Sequence, residues 1–225
     1  MNTKWISFYS KKNLEYISNE MLEIPFSSNR GFGFDITNLE DKNLEAIFIA
    51  NRIITEKVID PDGKVQFVQQ TKTDIFNFSI INREDGNHYI WIESPPRSLK
   101  LFFEKIEFVV GKSFYISNLN INLNSVYNYL MSNDYINSVV VKELMATNIK
   151  LGNGTYADIK LKSLNNVLKE LEEYFPLTEK ILKSLKLTFQ YDNEKINLNI
   201  SMYGKIECSE NFIECIPLIL DKSLI

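Results

Sequence analysis

"EAIFIANRIITEKVIDPDGKVQFVQQTKTDIFNFSIINREDGNHYIWIES", residues 45–94, contains the longest runs of β-branched and aromatic residues in the chain. Two Asp-Gly pairs, Asp62-Gly63 and Asp85-Gly86, interrupt these runs, and such pairs supply the backbone angles of tight turns. Apolar and polar residues alternate clearly over residues 75–80, which is the period of a strand with one buried face. The stretch predicts an antiparallel β-meander of three or four strands, in which "VQFVQQ" and "DIFNFSII" are separate strands.

Helical patterns flank the predicted meander on both sides. "KKNLEYISNEMLEI", residues 11–24, carries apolar residues at helical spacing, and Pro25 follows it. "PPRSLKLFFEKIEFVV", residues 95–110, begins with two prolines that cannot continue a sheet ladder. Ser98 is expected to cap this second helix, and its apolar positions are Leu99, Phe102, Phe103 and Ile106.

The second half of the chain mixes helical and strand patterns. The strongest helix is predicted over residues 162–175, with an apolar stripe formed by Leu164, Val167, Leu168, Leu171 and Tyr174. "TEKILKSL" predicts a further helical turn, and residues 186–204 predict a hairpin with the turn "DNEK". "ENFIECIPLIL" predicts a last strand, and Pro217 indicates that this strand lies near a sheet edge. Residues 135–151 give a mixed pattern, with a strand expected at Val139–Val141.

These elements predict an α+β fold, namely an antiparallel meander, then helices, then a C-terminal hairpin packed with an amphipathic helix. The asparagine-rich "SNLNINLNS" suggests a break between an N-terminal meander unit with its helix, residues 1–112, and a C-terminal α+β unit, residues 113–225. A single compact domain is equally compatible with 225 residues.

Composition narrows the class of protein. The net charge is −4, so the chain as a whole is not suited to coating nucleic acid or an anionic membrane. The sequence shows neither a secretory signal nor an apolar run long enough to span a bilayer, and its two cysteines, Cys208 and Cys215, are expected to be reduced. We therefore expect a cytoplasmic protein without a membrane partner. Abundant asparagine, lysine and isoleucine indicate an A+T-rich genome, which favours a bacterium or a mobile element within one.

Catalytic patterns are weak. His88 is the one histidine, and its place after a tight turn predicts a solvent-exposed turn residue. No nucleotide-binding loop and no spacing typical of zinc or calcium ligands is present, so we expect neither a cofactor nor a metal. Asp74 and Glu93 are the pieces of a metal-dependent nuclease site, but the Glu-x-Lys of such sites is broken here by Pro95.

A local basic and aromatic patch is the one candidate binding site. Basic groups beside aromatic rings can hold phosphates and stack bases, and a helix N-terminus can bind a phosphate through its free amides. Phe102 and Phe103 are explained more simply as core residues of a helix. The candidate nucleic-acid-binding residues are Arg97, Ser98, Lys100, Lys105 and Lys112.

Three hypotheses about function follow. The first is a non-enzymatic interaction protein, a subunit or accessory factor of a bacterial multi-protein system, in a defence or mobile-element context, that binds a protein partner or a second copy. "DIFNFSII" could add to a partner's sheet, unless it is simply a central strand. The second is a nucleic-acid-binding accessory protein that uses the basic patch. The third is a metal-dependent nuclease-like enzyme.

Overall fold

The structure is a computed structural model that describes residues 1–83, 86–111, 114–176 and 180–224. It confirms the α+β class, with helices and antiparallel β-structure in one chain. The strands are β1 (Asn2–Ser10), β2 (Phe32–Glu40), β3 (Asn43–Ile59), β4 (Val65–Asn82), β5 (Asn87–Glu93), β6 (Phe114–Asn118), β7 (Ile136–Gly152), β8 (Thr155–Lys162), β9 (Ile181–Tyr191), β10 (Glu194–Ser201) and β11 (Lys205–Glu207). The helices are α1 (Leu14–Leu22), α2 (Lys100–Val110), α3 (Leu123–Ser132), α4 (Val167–Tyr174) and α5 (Ile216–Asp221).

The chain divides into two compact units. The contiguous unit is Ser7–Ile116, and the discontinuous unit combines Met1–Ile6 with Ser117–Ile225. Strand β1 therefore begins in the discontinuous unit and ends in the contiguous one. A division into independent domains at residues 1–112 and 113–225 stays a prediction.

The contiguous unit is built around the meander that the sequence predicts. Its strands follow the order β2-β3-β4-β5, with the end of β1 beside β5. Helix α2 covers one face, where the ring of Phe102 contacts Phe48, Phe76 and Phe78 at centroid distances of 5.2, 5.3 and 4.9 Å. Tilted and edge-to-face contacts of this kind add to the free energy gained by burying the rings. The core of this unit therefore contains an aromatic cluster covered by α2, and α1 packs beside it on β2 and α2.

One detail of the predicted meander is wrong. "VQFVQQ" and "DIFNFSII" are not separate strands but parts of the single 18-residue strand β4. The intervening Thr71-Lys72-Thr73 contains two β-branched residues and neither glycine nor proline, so nothing there turns the chain. "DIFNFSII" thus lies within a strand that pairs with β3 along its whole length and with β5 at its end.

The discontinuous unit contains the hairpin predicted for residues 186–204. Its strands follow the order β11-β10-β9-β7-β8, with the start of β1 paired to β11. Asp192 and Asn193 form the two-residue turn of the hairpin, each with positive φ (49° and 62°), as a turn between twisted antiparallel strands requires. The buried face of the hairpin consists of Leu185, Leu187, Phe189, Ile196, Leu198 and Ile200.

Three other expectations for this half are wrong, whereas the strand expected at Val139–Val141 is confirmed as part of a longer one. "TEKILKSL" does not form a helical turn in its described part, residues 180–185, because β9 begins at Ile181; Thr178 and Glu179 lie outside the described residues. "ENFIECIPLIL" forms a 3-10 helix and α5 instead of a strand, since Pro217 fits the first helical turn, where its missing N–H costs nothing. Residues 136–152 are one strand, β7, whose β-bulges explain the mixed pattern. The helix expected to pack on the hairpin, α4, packs on β7 and β8, while α3 packs on β7 and β9.

Helix α4 is also shorter than its apolar stripe predicts. It begins after Asn166, whose side chain accepts a hydrogen bond from the amide of Leu168. Leu164 precedes this cap and is 91% exposed, so the stripe extends beyond the helix that it predicts.

Gly204 offers a test of the packing in the discontinuous unit. It has φ of +79°, and a Cβ there would lie 2.3 Å from the carbonyl oxygen of Trp5. Gly154 has a similar φ of +78° but open space around it. Because left-handed strain costs about 1–2 kcal/mol and overpacking about 1–3 kcal/mol more, Gly204→Ala should lower the free energy of unfolding by about 3 kcal/mol. Gly154→Ala should cost only about 1 kcal/mol. Equal losses in urea titrations of the two variants would contradict this packing.

Candidate functional site

The β3–β4 hairpin extends well beyond the strands that flank it. The last β2 pair is Phe32 with Ala50, and the last β5 pair is Ile92 with Phe78. Beyond these points β3 and β4 continue as a two-stranded structure, Asn51–Thr73, which we call the ribbon. Nine residue pairs, from Asn51–Thr73 to Ile59–Val65, follow one another without a bulge. At about 3.4 Å per residue the ribbon is ~27 Å long, and no third strand pairs with it among the described residues.

A tight turn closes the ribbon. The side chain of Asp60 accepts a hydrogen bond from the amide of Lys64 at 2.7 Å, and Gly63 provides the positive φ of 80°. This is the Pro-Asp-Gly turn that the sequence predicts.

The two faces of the ribbon differ in chemistry. Odd-numbered residues lie on the face opposite to the aromatic core, because Phe48, Phe76 and Phe78 have even numbers and the register has no shift. This odd-numbered surface, which we call the apolar face, contains the exposed side chains of Ile53, Ile59, Val65 and Phe67, with Ile75 at its base. Phe67 and Ile53 are each 71% exposed. Lys57 is the one charged residue on the apolar face.

Leaving both faces of such a ribbon exposed to water is energetically unfavourable. A two-stranded hairpin with no third strand is marginally stable, and contiguous exposed apolar patches mark interaction sites. Both outer edges of the ribbon also present backbone N–H and C=O groups that can pair with another strand. The ribbon therefore combines an apolar face with free hydrogen-bonding edges, which are the two features that partner proteins use.

An ion pair fixes the base of the ribbon. Arg52 donates from Nε to Oδ2 of Asp74 at 2.8 Å and from Nη2 to Oδ1 at 3.3 Å. This two-point contact lies beside the first turn of α2 and lines a cavity of about 320 Å³ with Ser98, Lys100, Leu101 and Glu104. Because a bidentate pair fixes the orientation of both side chains, it holds the two strands in register where they leave the core.

The predicted nucleic-acid residues lie around the start of α2. Arg97 and Ser98 are exposed and precede the helix, which starts at Lys100 with Leu99 as its cap residue. Ser98 is therefore not the cap that the sequence predicts, although its Oγ accepts a bond of 3.4 Å from the amide of Lys100.

The lysines of this predicted site have other contacts. Nζ of Lys100 lies 3.9 Å from Glu104, and Nζ of Lys105 lies 4.3 Å from the centre of the Phe32 ring. Phe102 is buried in the aromatic core, as the simpler interpretation expects. Lys112 lies outside the described residues. Nucleic-acid binding at this site stays a prediction, and Asp74 and Glu104 make the local field less suited to phosphate.

His88 is not the exposed turn residue that its position predicts. It lies within β5 and is 2% exposed, with its ring 5.4 Å from that of Phe8. Neither ring nitrogen has a hydrogen-bond partner in the described part of the chain. Burial lowers the pKa of His88 from 6.5 to about 4, since the charged form loses its hydration. His88 is therefore a neutral core residue at physiological pH.

Asp74 and Glu93, the pieces of the nuclease hypothesis, lie on opposite faces of the meander. Glu93 follows Ile92, the partner of Phe78, and it accepts a hydrogen bond from Asn77 at 2.9 Å. Asp74 has the parity of Phe76 and Phe78 and is paired with Arg52. Among the described residues no group of three or more His, Cys, Asp or Glu side chains could hold a metal ion.

The two cysteines are free thiols. Burial raises the pKa of Cys208 to about 11, so its reactive thiolate is scarce at neutral pH. Sγ of Cys215 lies 3.5 Å from the hydroxyl of Tyr191, a long contact at the end of the hairpin.

Comparison with known proteins gives no assignment. No family model matches the chain, and no curated protein shows significant similarity to it. None of the helices in the described residues combines the length and the apolar character needed to cross a bilayer. The features that bear on function are therefore the surfaces of the protein itself.

The pKa of His88 predicts how stability depends on pH. Its folded-state pKa, about 4, lies below the unfolded value of 6.5, so the contribution of neutral His88 is complete above pH 6.5 and is lost as the pH falls towards 4. The shift corresponds to at most about 3 kcal/mol. His88→Phe keeps an aromatic ring at this site and should remove this part of the acid destabilisation. Urea titrations between pH 7.5 and 4.5 measure it, and parallel losses in wild type and variant would contradict the assignment.

The ribbon should contribute little to the stability of the contiguous unit. Joining Arg52 to Lys72 through Asn-Gly, in place of residues 53–71, keeps the core and the base ion pair and supplies a tight hairpin turn. We expect this shortened chain to keep its melting temperature within about 4 °C, the change that about 1 kcal/mol produces in a chain of this size. A cooperative loss of the contiguous unit would show that the ribbon has a structural role instead.

Proposed function

We propose that this chain is a non-enzymatic interaction subunit that binds a protein partner through the ribbon. The observation that supports the proposal is the apolar face, because Ile53 and Phe67 are exposed on two strands that no third strand supports in the described residues. Exposed, clustered apolar side chains gain most of their burial free energy when another protein covers them.

The chemistry of the apolar face favours a different protein over a second copy. Lys57 lies opposite Phe67 in the register, in the middle of the ribbon. A symmetric dimer through this face would bury two copies of Lys57, and the face has no carboxylate to receive them. Burying a charge without a partner costs several kcal/mol. The partner that fits is therefore an apolar segment of another protein with an Asp or Glu opposite Lys57.

The size of the ribbon indicates how the partner is held. One face is ~27 Å long and ~10 Å wide, which is well below the roughly 800 Å² per partner of a standard stable interface. A partner that covered this face alone would bind transiently. A stable complex would also use a free edge of the ribbon, where an added strand gains backbone hydrogen bonds.

We place this role in a bacterial cytosolic assembly. The abundance of asparagine, lysine and isoleucine indicates an A+T-rich genome and supports a bacterial origin. The two free thiols are compatible with a reducing compartment. Membership of a defence or mobile-element system is the narrower form of the same proposal and depends on composition alone.

The test is affinity purification of tagged chains from the native cells with quantitative mass spectrometry, followed by affinity measurement with the purified partner. Ile53→Ser with Phe67→Ser should weaken the complex by at least about 30-fold, since truncating an interface anchor typically costs 2 kcal/mol or more. Lys57→Glu should weaken it as well, whereas Lys57→Arg should retain binding.

Val58→Ser with Val68→Ser is the matched control. These residues are also exposed on the ribbon, but they lie on its even-numbered face. An equal loss in this control would refute a site on the apolar face. Light scattering that showed a dimer broken by Phe67→Ser would refute the choice of a different protein over a second copy.

A further inference from the structure

A second surface, in the discontinuous unit, carries a concentration of positive charge. The helices of this unit pack on one face of its sheet, and the other face is polar. We call the latter the lysine face. Its acidic residues are Glu143, Asp158 and Glu207. Its lysines are more numerous and comprise Lys4, Lys150, Lys160, Lys162, Lys186, Lys195 and Lys205.

Strand register assembles this surface from distant parts of the chain. One row crosses six strands through consecutive pairings, in the order Lys162, Glu143, Lys186, Asn199, Glu207 and Asn2. Neighbouring strands are about 4.8 Å apart, so this row spans ~24 Å. The row brings residue 2 and residue 207 together with residue 162 in one surface.

The positive charge of the lysine face is only partly compensated. Glu143 binds Lys160 at 2.6 Å and Lys162 at 3.1 Å. Lys186, Lys195 and Lys205 are exposed and form no ion pair in the described part of the structure. The whole chain has a net charge of −4, so the excess of cations on this face is a local separation of charge.

The composition of the lysine face does not suit a protein partner. Protein interfaces are depleted in lysine and depend on aromatic or aliphatic anchors. Here the exposed anchors are few, chiefly Met145 and Tyr156 near the β7–β8 end. The centre contains a cavity of about 530 Å³ lined by Lys186, Asn197, Asn199 and Glu207, among others. Lysine ammonium groups and asparagine amides donate hydrogen bonds, which phosphate oxygens and the edges of bases can accept.

We propose that the lysine face binds single-stranded nucleic acid through its phosphates, with little sequence preference. An open sheet face is a surface on which proteins place single strands, and lysines track the backbone while amides contact the bases. Tyr156, which is 59% exposed, is the one aromatic side chain of β8 and can stack a base. This proposal concerns a different unit from the ribbon and does not depend on the proposed protein partner.

The test is fluorescence anisotropy of the full-length chain with labelled dT20 and U20 oligonucleotides at several salt concentrations. Lys150, Lys186, Lys195 and Lys205 give up to four phosphate contacts, so the slope of log affinity against log salt should be about −3. Lys186→Glu with Lys195→Glu should weaken binding at least about tenfold at low salt and reduce the slope by about 1.4. The DNA and RNA oligonucleotides distinguish the two sources of the same phosphate chemistry.

Two control variants make the same kind of charge change elsewhere. Lys169→Glu with Lys222→Glu alters exposed lysines of α4 and of the end of α5, and it should leave more than half of the affinity. Arg97→Glu with Lys100→Glu tests the site expected from the sequence and should have an equally small effect. Melting temperatures verify that all variants are folded.

Several outcomes would overturn the proposal. The first is that neither oligonucleotide binds at low salt. The second is that the Lys169 and Lys222 control loses as much affinity as the Lys186 and Lys195 variant. The third is that only the Arg97 and Lys100 variant loses binding. Stronger binding of a duplex would refute the single-stranded ligand. Binding of polyglutamate without binding of the oligonucleotides would show that the face receives an acidic protein instead.

Discussion

The unbroken register between β3 and β4 is the constraint on which the contiguous unit depends. Seventeen pairs, from Asn43–Ile81 to Ile59–Val65, follow one another without a shift. Because side chains alternate strictly between faces, the burial of Phe48 and Phe76 against Phe102 determines where Phe67 points more than 20 Å away. One residue inserted into β4 between the core and the ribbon would put Val65 and Phe67 on the face opposite to Ile53 and Ile59, unless a β-bulge absorbed it. The same register therefore determines both the packing of the core and the position of the apolar face.

In the discontinuous unit, β-bulges determine which side chains lie on each face of the sheet. Its strand β7 contains β-bulges, including one between Ala146 and Ile149. The bulge restores the alternation, so that Ile149 returns to the buried face and Lys150 to the lysine face, opposite Tyr156. An unbroken ladder would have placed an apolar residue among the lysines or a lysine in the core. Regular pairing thus creates the apolar surface in one unit, and irregular pairing keeps Ile149 off the lysine face of the other.

The sequence predicts local features well where a turn or a period is strong. The Asp62-Gly63 turn and the meander follow from local chemistry and are confirmed, as is the 192–193 hairpin. The burial of His88 does not follow from its local sequence, because the ring that packs against it belongs to Phe8, which is distant in sequence. The ribbon could not be predicted either, since apolar and polar residues alternate in the same way whether or not a third strand is present. Lysines at positions 4, 162 and 205 reveal a common surface only through pairing.

The two proposed surfaces differ in the physics of binding, and this difference makes their roles separable. Burial of Ile53 and Phe67 gains free energy from the loss of hydrated apolar surface, which salt does not screen. Binding at Lys186 and Lys195 depends on release of counterions and weakens steeply as salt rises. A chain with both surfaces in different compact units would keep its protein partner at a salt concentration that releases the nucleic acid. In the proposed roles, the ribbon would serve an assembly subunit, and the lysine face would add a reversible contact that responds to ionic conditions.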